Sequence, residues 1–292
     1  MPIDFILLIL VVLLVYSWSK EYLGSKWALL PSFLTLLSPH FFSGGALLPL
    51  AFLISIFSFL NFIFHPSRFN LVIAGLALGA AQLVDSVTLY LFVYFLILIV
   101  AFYIFGMIRD KQLTTGSNHA YRLKIRFFRY SSSTLIIFII ALIVLYAGSL
   151  YVGQPFNWHL PEGVRVSLYN LMQEPLPAII LMALGFGLFL INTIQIKKFN
   201  LISYLSGHFS NLALIIFVIF GWYSVDIFPA TLPLIYILIT GPIKKLMTSQ
   251  NEKEIMIVIA HEIFSFSAKW LVLFILLFWH LVFTFYTLSI YR

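Results

Sequence analysis

The 292-residue sequence contains no cysteine. Disulfide frameworks, thiol nucleophiles and thiolate metal sites are therefore all excluded. Charge is almost as scarce, with 9% of residues charged against about 25% in an ordinary soluble domain. At 62% hydrophobic residues, a soluble globular fold is excluded as well. A bilayer-spanning helix needs about 20 mostly apolar residues, and apolar runs recur along the whole chain. The expected fold class is an all-α polytopic membrane protein with about 10 transmembrane helices, read at 3–18, 27–37, 41–64, 70–83, 86–108, 134–152, 178–196, 203–223, 228–243 and 268–288. These fill residues 1–292 as a single transmembrane domain. Met1 to Trp18 lacks the basic start and small-residue cleavage site of a signal peptide, so it is read as a helix of the mature protein. No repeat of 20–50 residues and no low-complexity tail is present.

The scarce charges are sorted by side. Alternating connections place 14 of the 17 basic residues, among them Lys20, Lys26, Arg68, Arg129, Lys198, Lys244 and Lys253, in one set. Basic residues mark cytoplasmic connections, so that set is read as cytoplasmic and both termini as outside. The stretch 109–130, with six basic residues against Asp110, reads as a cytoplasmic loop facing anionic headgroups. Nothing beyond charge suggests base recognition, so no nucleic-acid partner is expected. Asp4, Asp85, Glu162, Glu174 and Asp226 fall on the opposite side. The long connection 153–177 is the outer loop, with aromatics suited to headgroup level, and it is expected to roof a pocket.

Several motifs are absent on inspection. Gly185-Phe186-Gly187 lies in an apolar helix without the strand, loop and basic residue of a phosphate cradle. Gly75, Gly79, Gly106 and Gly148 read as close helix contacts in lipid. His261-Glu262 resembles the start of a zinc-protease helix, but Ser265 occupies the place of the second imidazole. His280, inside the last span, is expected to hydrogen-bond a neighbouring helix, with a functional role as the alternative.

Three polar residues at outer helix ends stand out. His40 follows Ser38-Pro39 where a substrate could meet it. Asp85 sits between two apolar segments, where a carboxylate costs several kcal/mol without water or a partner; the other reading is the tip of a tight outer turn. Asp226 precedes a helix start, where a carboxylate either caps the helix or contacts a ligand.

Leu36-Leu37-Ser38-Pro39-His40, Ser43-Gly44-Gly45 and the run Val72–Leu83 resemble the GT-C class of multi-pass glycosyltransferases. The group most like them is that of protein O-mannosyltransferases and bacterial aminoarabinose transferases. Glu174-Pro175-Leu176-Pro177 is similar to the family's Lys-Thr-Pro-Leu-Pro run, and Asp226 to Leu238 to its Arg-Tyr-x-x-Pro-x-x-Pro-Phe-Leu run. Polar positions depart from the pattern. Gly44-Gly45-Ala46 stand for His-Gly-Arg, Pro49, Leu50 and Ala51 for Thr-Thr-Asp, and Asp85, Gln173 and Asp226 for two Lys and an Arg. The family's first helix and large acidic outer loop precede the point where this sequence starts.

The resemblance implies a GT-C-like helical arrangement and transfer of sugar from a polyprenyl-phosphate donor on the outer membrane face. It implies substrate binding by His40, Asp85, Gln173, Glu174 and Asp226. Carboxylates in place of phosphate-facing cations oppose a departing lipid phosphate, so a divalent cation held by Asp85 and Asp226 is expected to intervene. The expected partners are a polyprenyl-phosphate-linked sugar and membrane lipids, and the setting a prokaryotic plasma membrane. Two alternatives remain open. One is a non-catalytic relative that binds the lipid-linked sugar or a partner glycosyltransferase; the other is a transporter.

Overall fold

The computed structural model describes residues 2–43, 45–113, 118–152, 174–194, 228–248, 254–259 and 262–290. Their order is α1 (Pro2–Leu23), α2 (Ser25–Leu36), α3 (His40–Ser43), α4 (Leu47–Phe64), α5 (Arg68–Val84), a 3-10 turn (Ser86–Leu89), α6 (Tyr90–Leu113), α7 (Asn118–Val152), α8 (Leu176–Ile194), α9 (Phe228–Met247), β1 (Glu254–Ile259), β2 (Glu262–Ser267) and α10 (Ala268–Ile290). Among the described residues, five helices are long and apolar enough to cross a membrane: Asp4–Leu23, Leu47–Phe64, Arg129–Tyr151, Phe228–Met247 and Ala268–Tyr286. Arg68–Val84, Tyr90–Ala101 and Leu176–Leu188 are shorter apolar helices. The span expected at 203–223 lies outside the described residues.

The helix ends follow from local chemistry. Asp4 in the first turn and Lys20 in the last complement the dipole of α1. Gly24, at φ 82°, takes the left-handed conformation that lets the chain reverse from α1 into α2. Its N–H donates to the Lys20 carbonyl at 3.0 Å. The Ser67 hydroxyl caps α5 by accepting from the Asn70 N–H at 3.0 Å.

Two elements differ from the sequence expectation. The basic stretch 109–130 is largely helical, with α6 running to Leu113 and α7 starting at Asn118. Lys and Arg end a hydropathic run without weakening a helix, so apolarity alone placed the start of the span at 134, too late for the helix itself. Strands β1 and β2 pair antiparallel with Ile259 opposite Glu262, elements that counting helix-length apolar runs passes over. Six-residue stretches rich in β-branched and aromatic residues suit a strand and are too short for a helix. Among the described residues these are the only strands, and the rest of the regular structure is helical.

Packing orders the helices into a centre and a rim. Of the spans in α4 and α9, 61% and 67% are buried, against 22% in α7 and in α10, so α4 and α9 form the interior. Phe59 stacks on Phe95 of α6 at 3.8 Å, and Trp18 of α1 stacks on Phe57 of α4 at 4.4 Å. The rim helix α10 exposes Val272, Phe274, Phe278, Val282 and Phe285, the surface expected of a helix facing hydrocarbon.

Helices α5 and α7 run parallel along a glycine seam. A Cβ on Gly75 would meet Ile140 at 2.7 Å, one on Gly79 would meet Val144 at 2.6 Å, and one on Gly148 would meet Leu83 at 2.5 Å. This is the close-approach role expected of those glycines. Gly185 does the same for α8 against Ile239 of α9, at 2.4 Å.

Candidate functional site

Polar contacts fix which helix ends lie together. The Lys244 ammonium at the close of α9 donates to the Leu23 carbonyl at the close of α1, at 2.8 Å. The Lys269 ammonium at the start of α10 donates to the Leu246 carbonyl at 3.3 Å. These define one end of the bundle. At the other, the close of α2, the short α3 and the starts of α8 and α9 converge on Glu174.

Glu174 immediately precedes α8 and is 2% exposed. Its Oε1 accepts from the Ser38 hydroxyl at 2.6 Å, and its Oε2 accepts from the Tyr236 hydroxyl at 2.8 Å. His40 Nε2 stands 3.7 Å from Oε1, and the His40 ring meets Phe228 edge-on at 5.5 Å. Three distant segments thus supply one buried cluster. Pro39 ends α2 and forces the turn that presents Ser38 and His40. Pro175 and Pro177 stiffen the entry into α8, and Tyr236 projects back toward the start of α9, as helical side chains do.

Burial governs the electrostatics. Loss of water pushes the Glu174 carboxyl from 4.5 up to about 7, and the hydrogen bonds from Ser38 and Tyr236 oppose that rise without cancelling it. Among the described residues, every Lys and Arg belongs to the Lys244 end. No cation therefore joins the cluster from the described residues. A carboxylate held by hydroxyls and flanked by imidazole can bind a polar group through hydrogen bonds and exchange a proton near neutral pH.

Of the remaining candidates, Asp85 falls elsewhere. Asp85 caps the end of α5; its N–H donates to the Ala81 carbonyl at 3.2 Å, and its own carbonyl accepts from the Thr88 N–H at 3.1 Å and the Thr88 hydroxyl at 2.7 Å. That geometry matches the tight-turn reading. Helix α5 packs on α4 and α7, whereas Glu174 is held by α2, α3 and α9. Gln173 and Asp226 lie outside the described residues, as do 153–173 of the outer loop. No group of three ligand-type side chains forms a metal site among the described residues. Glu262 lies on β2, not on the helix that a zinc-protease motif requires.

His280 is enclosed within the bundle. The residue is fully buried, and its ring meets the backbone of Leu34 on the neighbouring helix α2. The nearby Thr284 hydroxyl contacts the Leu37 carbonyl at 2.9 Å and the His280 carbonyl at 2.9 Å. Gln82 is buried, and neither of its amide atoms has a hydrogen-bond partner among the described residues.

Sequence reasoning missed Ser38 and Tyr236 as site residues. Ser38 lay in the quoted Ser-Pro-His run, and Tyr236 was the one side chain of Pro233–Leu238 with a polar tip in an apolar stretch, a pattern that demands a buried partner. Comparison with family models, curated proteins and solved structures finds no match to this chain.

Proposed function

We propose that the chain is a GT-C-like membrane protein of about ten spans that binds a polyprenyl-phosphate-linked sugar at the Glu174 end and transfers the sugar there. In this reading the Glu174 end is the outer face of a prokaryotic plasma membrane, with both chain termini on that side. One observation carries it. The three proline-containing runs that resemble the family, at 36–40, 174–177 and 226–238, are far apart in sequence and supply Ser38 and His40, Glu174, and Phe228 and Tyr236 to one cluster.

The chemistry follows from that cluster. An acceptor hydroxyl forms a bond to the anomeric carbon while the carbon–oxygen bond to the lipid phosphate breaks, and the phosphate leaves with the bonding electrons. Glu174 and His40 bind the polar head through hydrogen bonds and exchange the acceptor's proton; Tyr236 and Ser38 hold Glu174 in place. Gln173 and Asp226, beside Glu174 and just before the start of α9 in sequence, flank the site in this proposal, and Asp226 would help to hold a divalent cation that offsets the charge of the leaving phosphate.

The test is purified protein in proteoliposomes supplied with polyprenyl-phosphate sugars. Transfer is expected, with Glu174→Gln reducing it about 100-fold and chelation of divalent cations abolishing it. Absence of both binding and transfer across donors sinks the reading.

A second reading is favoured by the absence of Lys and Arg at the Glu174 end among the described residues. Without a cation to offset the leaving phosphate, the cluster would bind the lipid-linked sugar without cleaving it. Saturable donor binding with no transfer, unchanged by added divalent cation, selects this non-catalytic form.

A further inference from the structure

We infer that the Glu174 cluster is a proton-operated latch, closed while the carboxyl carries its proton and opened to water when it ionises. The latch joins the close of α2 to the starts of α8 and α9, and it stands whether or not the protein transfers sugar.

Both oxygens of Glu174 face hydroxyls, Ser38 at 2.6 Å and Tyr236 at 2.8 Å, and Oε1 also faces His40 Nε2 at 3.7 Å. Hydroxyls donate or accept, so the protonated acid keeps its bonds by donating to Ser38 Oγ while Tyr236 still donates to the other oxygen. The ionised form fares worse, because two neutral donors replace only part of a carboxylate's hydration.

No Lys or Arg among the described residues lies at this end to offset that deficit. Helices α4 and α8 contribute no titratable side chain, and α9 contributes Tyr236 here, with Lys244 and Lys245 at the far end. Helix α2 carries only Lys26, at its far end, and α3 carries His40. Helix α1 offers Asp4, exposed at its start, and α10 offers His280, one turn below the Thr284 that contacts Leu37. Burial accordingly raises the carboxyl to about 7. Linkage then requires that any state in which Glu174 reaches water binds the proton more weakly than the closed state. Rising pH therefore shifts the population from closed to open.

The geometry says where opening occurs. Glu174 sits at the entrance to α8, directly after the 153–173 segment, and Tyr236 reaches it from within α9. Separation of these two elements exposes the buried face of the first turns of α9, including Thr231, which is fully buried in the closed form.

The absence of native cysteine gives a clean test. Thr231→Cys is reacted with a membrane-impermeant cationic methanethiosulfonate between pH 6 and 8. Each rate is divided by that of Tyr151→Cys, exposed at the end of α7, which removes the intrinsic effect of thiolate formation. The normalised rate is expected to rise roughly tenfold, the change in ionised fraction of a group titrating near neutrality. In the Glu174→Gln background it is expected to stay at the low value. A pH-independent rate in the parent, or an equal rise in the Glu174→Gln background, overturns the latch. If Thr231→Cys does not fold, amide hydrogen exchange over 228–236, corrected for the intrinsic pH dependence, replaces it with the same two outcomes. No donor or acceptor is present in either experiment, so failure of the latch and failure of the sugar-transfer reading are separately visible.

Discussion

The two ends of the helix bundle solve opposite electrostatic problems. At the Lys244 end, long cationic side chains reach helix carbonyls from partly exposed positions, Lys244 to Leu23 and Lys269 to Leu246, and the charge complements the helix dipole. At the Glu174 end a short anionic side chain is enclosed, and its only close described partners are two hydroxyls and an imidazole. The first arrangement costs little, because a flexible ammonium keeps part of its water. The second carries a desolvation cost that a fold retains only where something compensates.

The contrast can be broken most severely at the α8–α9 seam. Gly185→Leu would bring a side chain to within 2.4 Å of Ile239, separating Glu174 from Tyr236. It is expected to cost more than about 3 kcal/mol, read as loss of monodisperse protein in detergent.

Next in size is the pH dependence. The folded carboxyl titrates at about 7 and its ordinary value is 4.5, so between those values the native state holds more protons than the unfolded one. Stability is then greatest below 4.5, declines as pH rises through that window and levels off above about 7. The decline from Glu174 is on the order of 3 kcal/mol. Chemical unfolding in detergent at pH 5 and pH 8 measures it, and Glu174→Gln is expected to remove this component.

Tyr236→Phe is expected to cost about 1.5–3 kcal/mol at pH 8, where the hydroxyl serves an ionised acceptor, and less at pH 5. Equal costs at the two values would mean that Tyr236 does not report the charge on Glu174. Lys244→Met should cost only about 0.3–1 kcal/mol, shrinking with salt and indifferent to pH over this range.

Much of this contrast is legible in the sequence, and the reason differs by residue. Helices declare themselves through long apolar runs, so the starts of α5, α8 and α9 fall within two residues of the expected 70, 178 and 228. Close-packing glycines are legible because a missing side chain in an apolar helix has few other uses, as Gly75, Gly79 and Gly185 bear out. His40 and Glu174 are named in advance, yet their meeting is not, because sequence separation carries no information on which helix ends converge. Tyr236 escapes notice since its ring satisfies the apolar pattern and only its hydroxyl serves the cluster. The paired strands β1 and β2 and the long basic start of α7 were missed for a common reason. Hydropathy reports transfer into lipid, whereas strand pairing and helix propensity do not depend on it.

The account rests most heavily on Glu174 and Tyr236 acting as one unit across two helices. A double-mutant cycle with Glu174→Ala and Tyr236→Phe, followed by unfolding at pH 8, tests this directly. Coupling of at least about 1 kcal/mol is predicted, as for residues in direct contact; costs that add to within about 0.5 kcal/mol would place the two side chains in separate environments and contradict the shared cluster.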